Sequence, residues 1–433
     1  MQTIEQLQSG ELISSASIKL SCNLTEFPEE LFQLADTLEL LDLSGNKLSS
    51  LPTDFKKFTK LKIAFFSENL FTELPEVLAE CPLLEMIGFK ANHIEYISEK
   101  AISKNVRWLI LTNNKITQLP NSIGNCKRLQ KVALAGNLIS ELPATMANCQ
   151  NIELLRVSAN QLKEIPTWLW QLPKLSWLAY ADNPCCSSST PTTTTITSIN
   201  WDDITLKEKL GEGASGHIYK AQLNSENKKT IAVKIFKGDV TSDGLPQSEM
   251  NACIAAGKHL NLVTLIGKLT NHPEQKNGLV LELIPESFYN LGQPPNYITC
   301  TRDTFLPTTF FSANSILCIA QQIALVMTHL HHLGIMHGDL YAHNIMINEN
   351  NKPLLGDFGA ATLYQINSDN APAHELLDVR AFGFLMDDLL QRIDKESSRD
   401  LLKNKLQLIA QDCITCSIKK PITFTQILIR LSV

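Results

Sequence analysis

The sequence predicts a multidomain protein in which an α/β solenoid of short repeats is followed by an α+β domain of two lobes. An asparagine-marked repeat runs through the first part of the chain, a serine and threonine tract follows it, and a glycine-rich loop opens the remainder. With 433 residues, the chain is long enough for two domains that each bury a core. We place the repeats at 1–184, a Ser/Thr-rich linker at 185–200, and the second domain at 201–433, with lobes 201–284 and 285–433.

The repeat is marked by an asparagine that recurs at an almost constant interval. Around each asparagine the pattern approaches L-x-x-L-x-L-x-x-N-x-L, which is the period and pattern of leucine-rich repeats. About eight such units fit the segment. Alternate residues of each short strand point into the core, and the asparagine amide bonds backbone groups where the chain turns. The marked positions are Asn23, Asn46, Asn69, Asn92, Asn114, Asn137, Asn160 and Asn183.

The x positions of the repeat strands face one concave surface, where equivalent residues of successive strands lie about 4.8 Å apart. Large apolar side chains on a surface that faces water are typical of a binding site. We therefore predict that a protein segment docks on this face, although the second domain or a second copy of the chain could cover it instead. The residues predicted to form the face are Phe65, Met86, Trp108, Ile110, Leu154 and Trp177.

Composition excludes several other classes of partner. The net charge of -6 is mild and spread along the chain, so nothing indicates nucleic acid or an anionic membrane as the main partner. No apolar run reaches the roughly 18 residues that a membrane span needs, and the first residues lack a secretory signal. The eleven cysteines show no framework spacing, which indicates a reducing compartment. We expect a cytoplasmic protein without a membrane span, and its oligomeric state stays open.

The second domain contains two polar motifs separated by a pair of apolar strands. Residues 337–344 read HGDLYAHN and residues 357–359 read DFG. Transfer of the terminal phosphoryl group of ATP needs an acceptor for the attacking hydroxyl's proton and oxygen ligands for Mg²⁺. Asp339 suits the first role, and Asn344 and Asp357 suit the second. The spacing matches the protein kinase signature, so this part of the chain resembles the protein kinase superfamily.

A glycine-rich loop opens the same domain. Gly211, Gly213 and Gly216 form G-x-G-x-x-G between two apolar strands, and glycines let the backbone approach phosphate oxygens closely. The run Ile-Ala-Val-Lys that ends at Lys234 matches the kinase strand that brings a lysine to the phosphates, whereas a dinucleotide fold would enter a helix directly. By the same resemblance, Glu249 on the next helix pairs with Lys234, so that Asp339, Lys234 and Glu249 are the catalytic residues.

The resemblance also implies how ATP is held. Residues 279–284 resemble the last strand of the small lobe and the hinge, whose backbone at Glu282 and Ile284 would bond adenine. The side chains of Ile218, Ala232 and Met346 would enclose the base. The cofactors that follow from the resemblance are ATP and Mg²⁺.

Three departures from the kinase pattern bear on the substrate. Gly338 stands where many kinases have an arginine that grips a phosphate on the activation loop, so activation by loop phosphorylation is not expected. Asp378, in a segment resembling the large-lobe D-V-W-S-F-G helix, follows Asp357 too closely to leave room for a full activation and peptide-docking segment. Tyr341 replaces the lysine that Ser/Thr kinases place two residues after the catalytic aspartate.

The whole arrangement resembles bacterial leucine-rich-repeat protein kinases with a compact kinase domain. This resemblance implies an ATP-dependent protein kinase, with serine or threonine favoured over tyrosine, whose repeats recruit a protein substrate or partner. Two alternatives stay open. One is a nucleotide-binding scaffold with weak or no turnover, and the other is a phosphotransferase for a small alcohol or amino sugar, because His-Gly-Asp-Leu also occurs in small-molecule kinases.

Overall fold

The protein forms two compact units in a computed structural model that describes residues 2–186, 196–213, 215–224, 228–238, 240–397 and 401–432. The first unit comprises Met1–Lys174 and Asn183–Cys185, and the second comprises Leu175–Asp182 and Cys186–Val433. Leu175–Asp182, which lies inside the range 1–184 predicted for the repeats, belongs to the second unit. Residues 187–195, most of the predicted Ser/Thr-rich linker, lie outside the described residues.

The described part of the first unit is built on seven three-residue strands that pair in parallel in chain order. The central side chain of each strand is fully buried, as the predicted alternation requires. The short helices α1 (Ile4–Gln8) and α2 (Thr167–Trp170) lie towards the two ends of the unit. The strands are β1 (Ser17–Lys19), β2 (Leu40–Asp42), β3 (Ile63–Phe65), β4 (Met86–Gly88), β5 (Trp108–Ile110), β6 (Lys131–Ala133) and β7 (Leu154–Arg156).

Short 3-10 helices return the chain between strands, and each of them begins directly after a proline. Proline suits this position because it presets φ for a helix and because the first amide groups of a helix have no partner within it. The segments are Glu29–Leu34, Thr53–Lys57, Glu76–Glu80, Asn121–Asn125 and Ala144–Asn148.

The asparagines tie each repeat to the preceding one. Asn137 Nδ2 donates to the Leu134 carbonyl in its own repeat and to the Leu111 carbonyl one repeat earlier, both at 2.9 Å. Its Oδ1 accepts from the Ile116 amide at 3.0 Å. The side chains of all the marked asparagines except Asn23 are buried. We call this row of buried asparagines the asparagine ladder. Asn23 is exposed and adopts a left-handed backbone conformation with φ +58°, so it does not belong to the ladder.

The small lobe of the second unit is a six-stranded sheet with the order β10-β11-β12-β14-β13-β9. Strand β9 pairs in parallel with β13, so residues 198–200 of the predicted linker are part of this lobe. The neighbours β10 to β14 pair antiparallel, and helix α3 (Pro246–Ala256) lies between β12 and β13 in the chain. Strand β8 (Trp177–Ala179) precedes the lobe in the chain. The lobe's strands are β9 (Ser198–Asn200), β10 (Ile204–Glu212), β11 (Gly216–Leu223), β12 (Thr230–Phe236), β13 (Leu265–Thr270) and β14 (Gly278–Glu282).

The large lobe is mainly helical. Two small antiparallel sheets accompany the helices, and they carry the polar motifs at their ends. The helices are α4 (Ala313–His332), α5 (Ala371–Leu390), α6 (Leu401–Thr415) and α7 (Phe424–Ser432). The strands are β15 (Tyr289–Asn290), β16 (Ile335–Met336), β17 (Ile345–Ile347), β18 (Pro353–Leu355) and β19 (Thr362–Leu363).

Helix α4 is, among the described residues, the one helix whose length and apolar composition would allow it to cross a membrane. The helix packs against α5 and α7, and ten of its side chains are buried within the lobe. A core helix satisfies the same criterion, so this feature is weak evidence for a membrane span.

Replacement of Asn137 by alanine should lower the free energy of unfolding by about 3 kcal/mol, because two carbonyls and one amide lose their buried partner. Urea denaturation of the wild type and the variant measures this change. The control is Asn125→Ala, at an exposed position of a return segment, where a loss below about 0.5 kcal/mol is expected. Equal losses for both variants would contradict the role of the ladder.

Candidate active site

A cavity of about 640 Å³ opens between the glycine-rich loop, β12, α3, the hinge after β14 and the loops at β17 and β18. It brings together residues that are far apart in the sequence. All the residues predicted to contact ATP or a metal line this cavity: Gly211, Gly213, Gly216, Ile218, Ala232, Lys234, Glu249, Glu282, Ile284, Asn344, Met346 and Asp357.

The three glycines of the loop differ in whether the fold itself requires a residue without a side chain. A methyl group added at Gly211 or Gly213 would meet no atom within 4 Å, so the fold itself does not need glycine there. A methyl group at Gly216 would come within 2.5 Å of the Ile235 carbonyl oxygen on the paired strand. Gly216 is therefore required for strand pairing, while the first two glycines leave open room beside the cavity.

Strand alternation places Lys234 in the cavity. Ile231, Val233 and Ile235 of β12 point into the core of the small lobe, so Ala232 and Lys234 take the opposite face. The Lys234 amine forms an ion pair with the carboxylate of Glu249 from α3, and the two side chains are 13% and 3% exposed. The pairing predicted from sequence is thus present in the structure.

The charge state of Lys234 follows from its neighbours. Burial works to lower the pKa of Lys234, but the negative charges of Glu249 and Asp357 outweigh it and raise that pKa above its ordinary value. The amine is therefore a cation across the neutral range. A buried ammonium between two carboxylates is suited to attract the oxygens of a phosphate.

Asp339 lies beside the cavity rather than in its wall. The amide nitrogen of Asn344 donates to the Asp339 backbone carbonyl at 2.9 Å and to its carboxylate Oδ2 at 2.7 Å. These two bonds set the orientation of the carboxylate. They also connect Asp339 directly to a residue that lines the cavity.

A buried carboxylate on α5 holds the backbone of residues 337–344, here called the catalytic loop. Asp378 is fully buried and accepts from the amides of His337 at 2.8 Å and Gly338 at 3.0 Å. Its Oδ2 also lies 2.9 Å from His331 Nε2 on α4. The motif that begins with Asp378 is visible in the sequence but predicts no role in the site, because the motif by itself does not show which backbone amides the carboxylate meets.

The donor set fits a magnesium ion with few protein ligands. The described residues contain no group of three His, Cys, Asp or Glu side chains that could enclose a metal. Asn344 and Asp357 line one cavity, and Mg²⁺ commonly takes one or two protein ligands together with phosphate and water oxygens. Because the Asn344 amide nitrogen bonds Asp339, its amide oxygen is the atom able to ligate a cation. Asp357 adopts φ +52°, a strained conformation that is typical of functional positions.

His343 is a cavity residue that sequence analysis did not select. Its Nδ1 lies 2.7 Å from the buried carboxylate of Asp303, which also accepts from the His343 amide at 3.1 Å. Burial works to lower the pKa of His343, but the bond to Asp303 and the charges of Asp339 and Asp357 raise it overall. No local pattern around Asp303 marks it as a partner, because it precedes the catalytic loop by the whole length of helix α4 and more.

The apolar face predicted on the repeats is only partly available. The side chains of Met86, Leu154 and Trp177 are buried, so their predicted role as exposed docking residues is corrected. Trp177 belongs to the second unit, where its ring stacks on that of Tyr341 with centroids 4.5 Å apart. Phe65, Trp108 and Ile110 are half-buried, and the Lys131 amine lies 4.3 Å from the centroid of the Trp108 ring.

Comparisons with known proteins bear on both parts of the chain. Residues 204–380 match the model of a family described as protein tyrosine and serine/threonine kinase. Residues 37–58 and 105–126 match the model of the leucine-rich repeat. Fibroblast growth factor receptor 1 of Xenopus laevis is 32% identical over 174 residues, a match that covers 37% of this chain and 21% of the receptor. The chain thus corresponds to about a fifth of the length of that relative.

Alanine at Gly213 and alanine at Gly216 should have opposite effects. Gly213→Ala should leave stability unchanged and weaken ATP binding about tenfold, because the methyl group takes room beside the phosphates. Gly216→Ala should lower the free energy of unfolding by about 1–3 kcal/mol through its contact with the Ile235 carbonyl. Titration calorimetry with ATP and urea denaturation separate the two effects, and identical behaviour of the variants would refute the assignment.

Proposed function

We propose that this chain, which joins leucine-rich repeats to a protein kinase domain, transfers the terminal phosphoryl group of ATP to a hydroxyl group of a protein. The observation that carries the proposal is the convergence of the glycine-rich loop, the Lys234–Glu249 ion pair and Asp357 on one cavity. Asp339 is fixed at the edge of this cavity by Asn344. Together these elements supply the groups that phosphoryl transfer requires: phosphate ligands, metal ligands and a proton acceptor.

Each side chain has a defined task in the reaction. Lys234 binds phosphate oxygens of ATP, and Glu249 keeps its ammonium group in place. Asp339 orients the acceptor hydroxyl and accepts its proton as the hydroxyl oxygen bonds to the γ-phosphorus and the bond from that phosphorus to the ADP oxygen breaks. Asn344 and Asp357 would hold Mg²⁺, which when bound neutralises charge on the phosphate oxygens. Glu282, Ile284, Ile218, Ala232 and Met346 line the cavity, which supports backbone bonds from Glu282 and Ile284 to adenine with the three apolar side chains around the base.

A shortened segment before α5 supports a separate role for the repeats. Helix α5 begins at Ala371, and only a two-residue strand, Thr362–Leu363, lies between Asp357 and that helix. This leaves little chain to hold an extended peptide. We therefore propose that the repeats recruit the protein substrate, with the half-buried Phe65, Trp108 and Ile110 as part of the contact surface. We include serine or threonine as the acceptor in the same proposal. We also propose a cytoplasmic site of action, because all eleven cysteines are free thiols, as is usual in a reducing compartment.

The same short segment favours a second candidate, a phosphotransferase for a small alcohol or amino sugar, which needs no peptide-docking segment. A nucleotide-binding scaffold is the third. Neither requires the repeats to bind the acceptor, so the identity of the labelled product distinguishes all three.

Asp339→Asn should lower phosphoryl transfer about a thousandfold while ATP affinity changes less than about threefold, because Asp339 lies outside the cavity wall. Incubation with γ-labelled ATP and Mg²⁺, with and without a chelator, measures transfer, and phosphoamino acid analysis identifies the acceptor. Label on protein in the wild type only supports the kinase. ATP binding without transfer supports the scaffold, and label on an added alcohol or amino sugar supports the small-molecule enzyme.

Trp108→Ser should reduce labelling of other proteins in a cell extract at least about fivefold without changing self-labelling, because the repeat surface acts in recruitment only. The control is Leu83→Ser, an exposed leucine outside the predicted face. If extract proteins are labelled equally by the wild type and Trp108→Ser, the recruitment proposal is wrong.

A further inference from the structure

We propose that Leu175–Asp182, here called the anchor segment, positions the kinase site by holding the catalytic loop at one end and the Glu249 helix at the other. The proposal rests on the proposed function and adds residues to it that lie outside the matched kinase region, 204–380. None of the anchor segment lines the ATP cavity. Its effect on the reaction is therefore transmitted through the groups it contacts.

Trp177 holds the catalytic loop. Its indole is buried, and its ring is nearly parallel to that of Tyr341, with 8° between the planes and 4.5 Å between the centroids. On α5, the Phe384 ring lies 5.4 Å from the indole. The indole Nε1 donates to the Leu340 carbonyl at 3.2 Å. Because Leu340 and Tyr341 directly follow Asp339, these contacts restrict the position of the carboxylate that receives the proton.

The backbone of the anchor segment also fills the space beside Gly338. This glycine has φ +69°, and a methyl group added to it would lie 2.5 Å from the Leu178 carbonyl oxygen and 2.9 Å from that of Ala360. No larger residue fits there without moving the anchor segment. The glycine at this position is thus explained by a close approach of two backbone segments.

Helix α5 provides the base on which the anchor segment rests. Arg380 Nη1 donates to the Leu175 carbonyl at 2.9 Å, and the Tyr180 hydroxyl is hydrogen-bonded to His374 Nε2. Asp378 on the same helix holds the amides of the catalytic loop. The anchor segment and the catalytic loop are therefore fixed to one rigid element.

The other end of the anchor segment contacts the first turn of helix α3. The N-cap residue of this helix, Leu245, has no side chain able to accept a hydrogen bond. The Asp182 carboxylate binds this turn from outside, since its Oδ1 accepts a hydrogen bond from the Ser248 hydroxyl. Ser248 immediately precedes Glu249, so loss of this bond loosens the turn that presents Glu249 to Lys234.

Trp177 and Asp182 lie close together in the chain, and both Leu178 and Ala179 between them belong to the extended backbone of strand β8. We infer that the positions of Asp339 and Glu249 are coupled through this segment. Trp177 and Asp182 are positioning residues in this account, since neither lines the cavity.

The test uses the full chain with paired variants at both ends. Trp177→Ala removes the stacking and the donor, Trp177→Phe keeps a stacked ring, and Trp168→Ala alters a half-buried tryptophan of α2 as the control. At the other end, Asp182→Gly tolerates the observed φ of +61° and removes the acceptor, while Asp182→Asn keeps an acceptor oxygen. The two conservative variants, Trp177→Phe and Asp182→Asn, should retain most of kcat if the segment acts by positioning Asp339 and Glu249.

We expect Trp177→Ala and Asp182→Gly to lower kcat for phosphoryl transfer about tenfold or more, with KM for ATP within about twofold of the wild type. Trp177→Phe and Asp182→Asn should recover most of kcat, and Trp168→Ala should match the wild type. Unchanged kcat in both disruptive variants would overturn the proposal. A parallel loss of ATP affinity and melting temperature, with no recovery in the conservative variants, would also overturn it by showing a role in folding alone.

Hydrogen exchange provides a readout that does not depend on turnover. Trp177→Ala should accelerate amide exchange at residues 337–341 and also in Pro246–Ala256, and Asp182→Gly should do the same. Faster exchange confined to the mutated end would refute the coupling. If the wild type shows no phosphoryl transfer, the proposed function fails, and the exchange pattern still decides whether the anchor segment connects the two elements.

Discussion

The buried ion pair between Lys234 and Glu249 is the constraint on which the rest of the catalytic unit depends. Two charges removed from water are costly unless each stays opposite the other, and loss of one partner typically costs about 3–5 kcal/mol. Lys234 is fixed by a central strand of a six-stranded sheet. Glu249 lies on an eleven-residue helix that must be held by outside contacts. Much of the packing in this unit serves to hold that helix and the catalytic loop at fixed positions relative to the sheet.

Two departures from the kinase pattern meet the same strand. Gly338 lies against the Leu178 carbonyl, and the Tyr341 ring stacks on that of Trp177. Both partners belong to β8, a strand with the sequence pattern of a repeat. The sequence showed each departure separately, and only the packing shows that they belong together.

Much of the fold and of the cavity could be predicted from sequence because both depend on local patterns. The repeat period predicts the strands, the motif spacing predicts the cavity residues, and the matches to known families confirm a leucine-rich-repeat region and a kinase region. What failed depends on long-range packing. Trp177 occupies a strand position that faces outward in a regular repeat, and nothing near it in the sequence indicates a partner ring in the distant catalytic loop. The Asp303–His343 contact and the Asp182–Ser248 hydrogen bond were missed for the same reason.

The position of Asp339 bears on whether the chain transfers phosphate or only binds nucleotide. A nucleotide switch needs the cavity wall, and Asp339 is not part of it. Yet Asn344 donates twice to Asp339, and Asp378 fixes the two amides before it. Fixing a carboxylate in this way costs conformational entropy. A proton acceptor for an incoming hydroxyl requires such placement, because general base catalysis depends on the carboxylate being within hydrogen-bonding reach of that hydroxyl. The fixed position of the Asp339 carboxylate, outside the wall of the binding cavity, therefore favours a site that transfers phosphate.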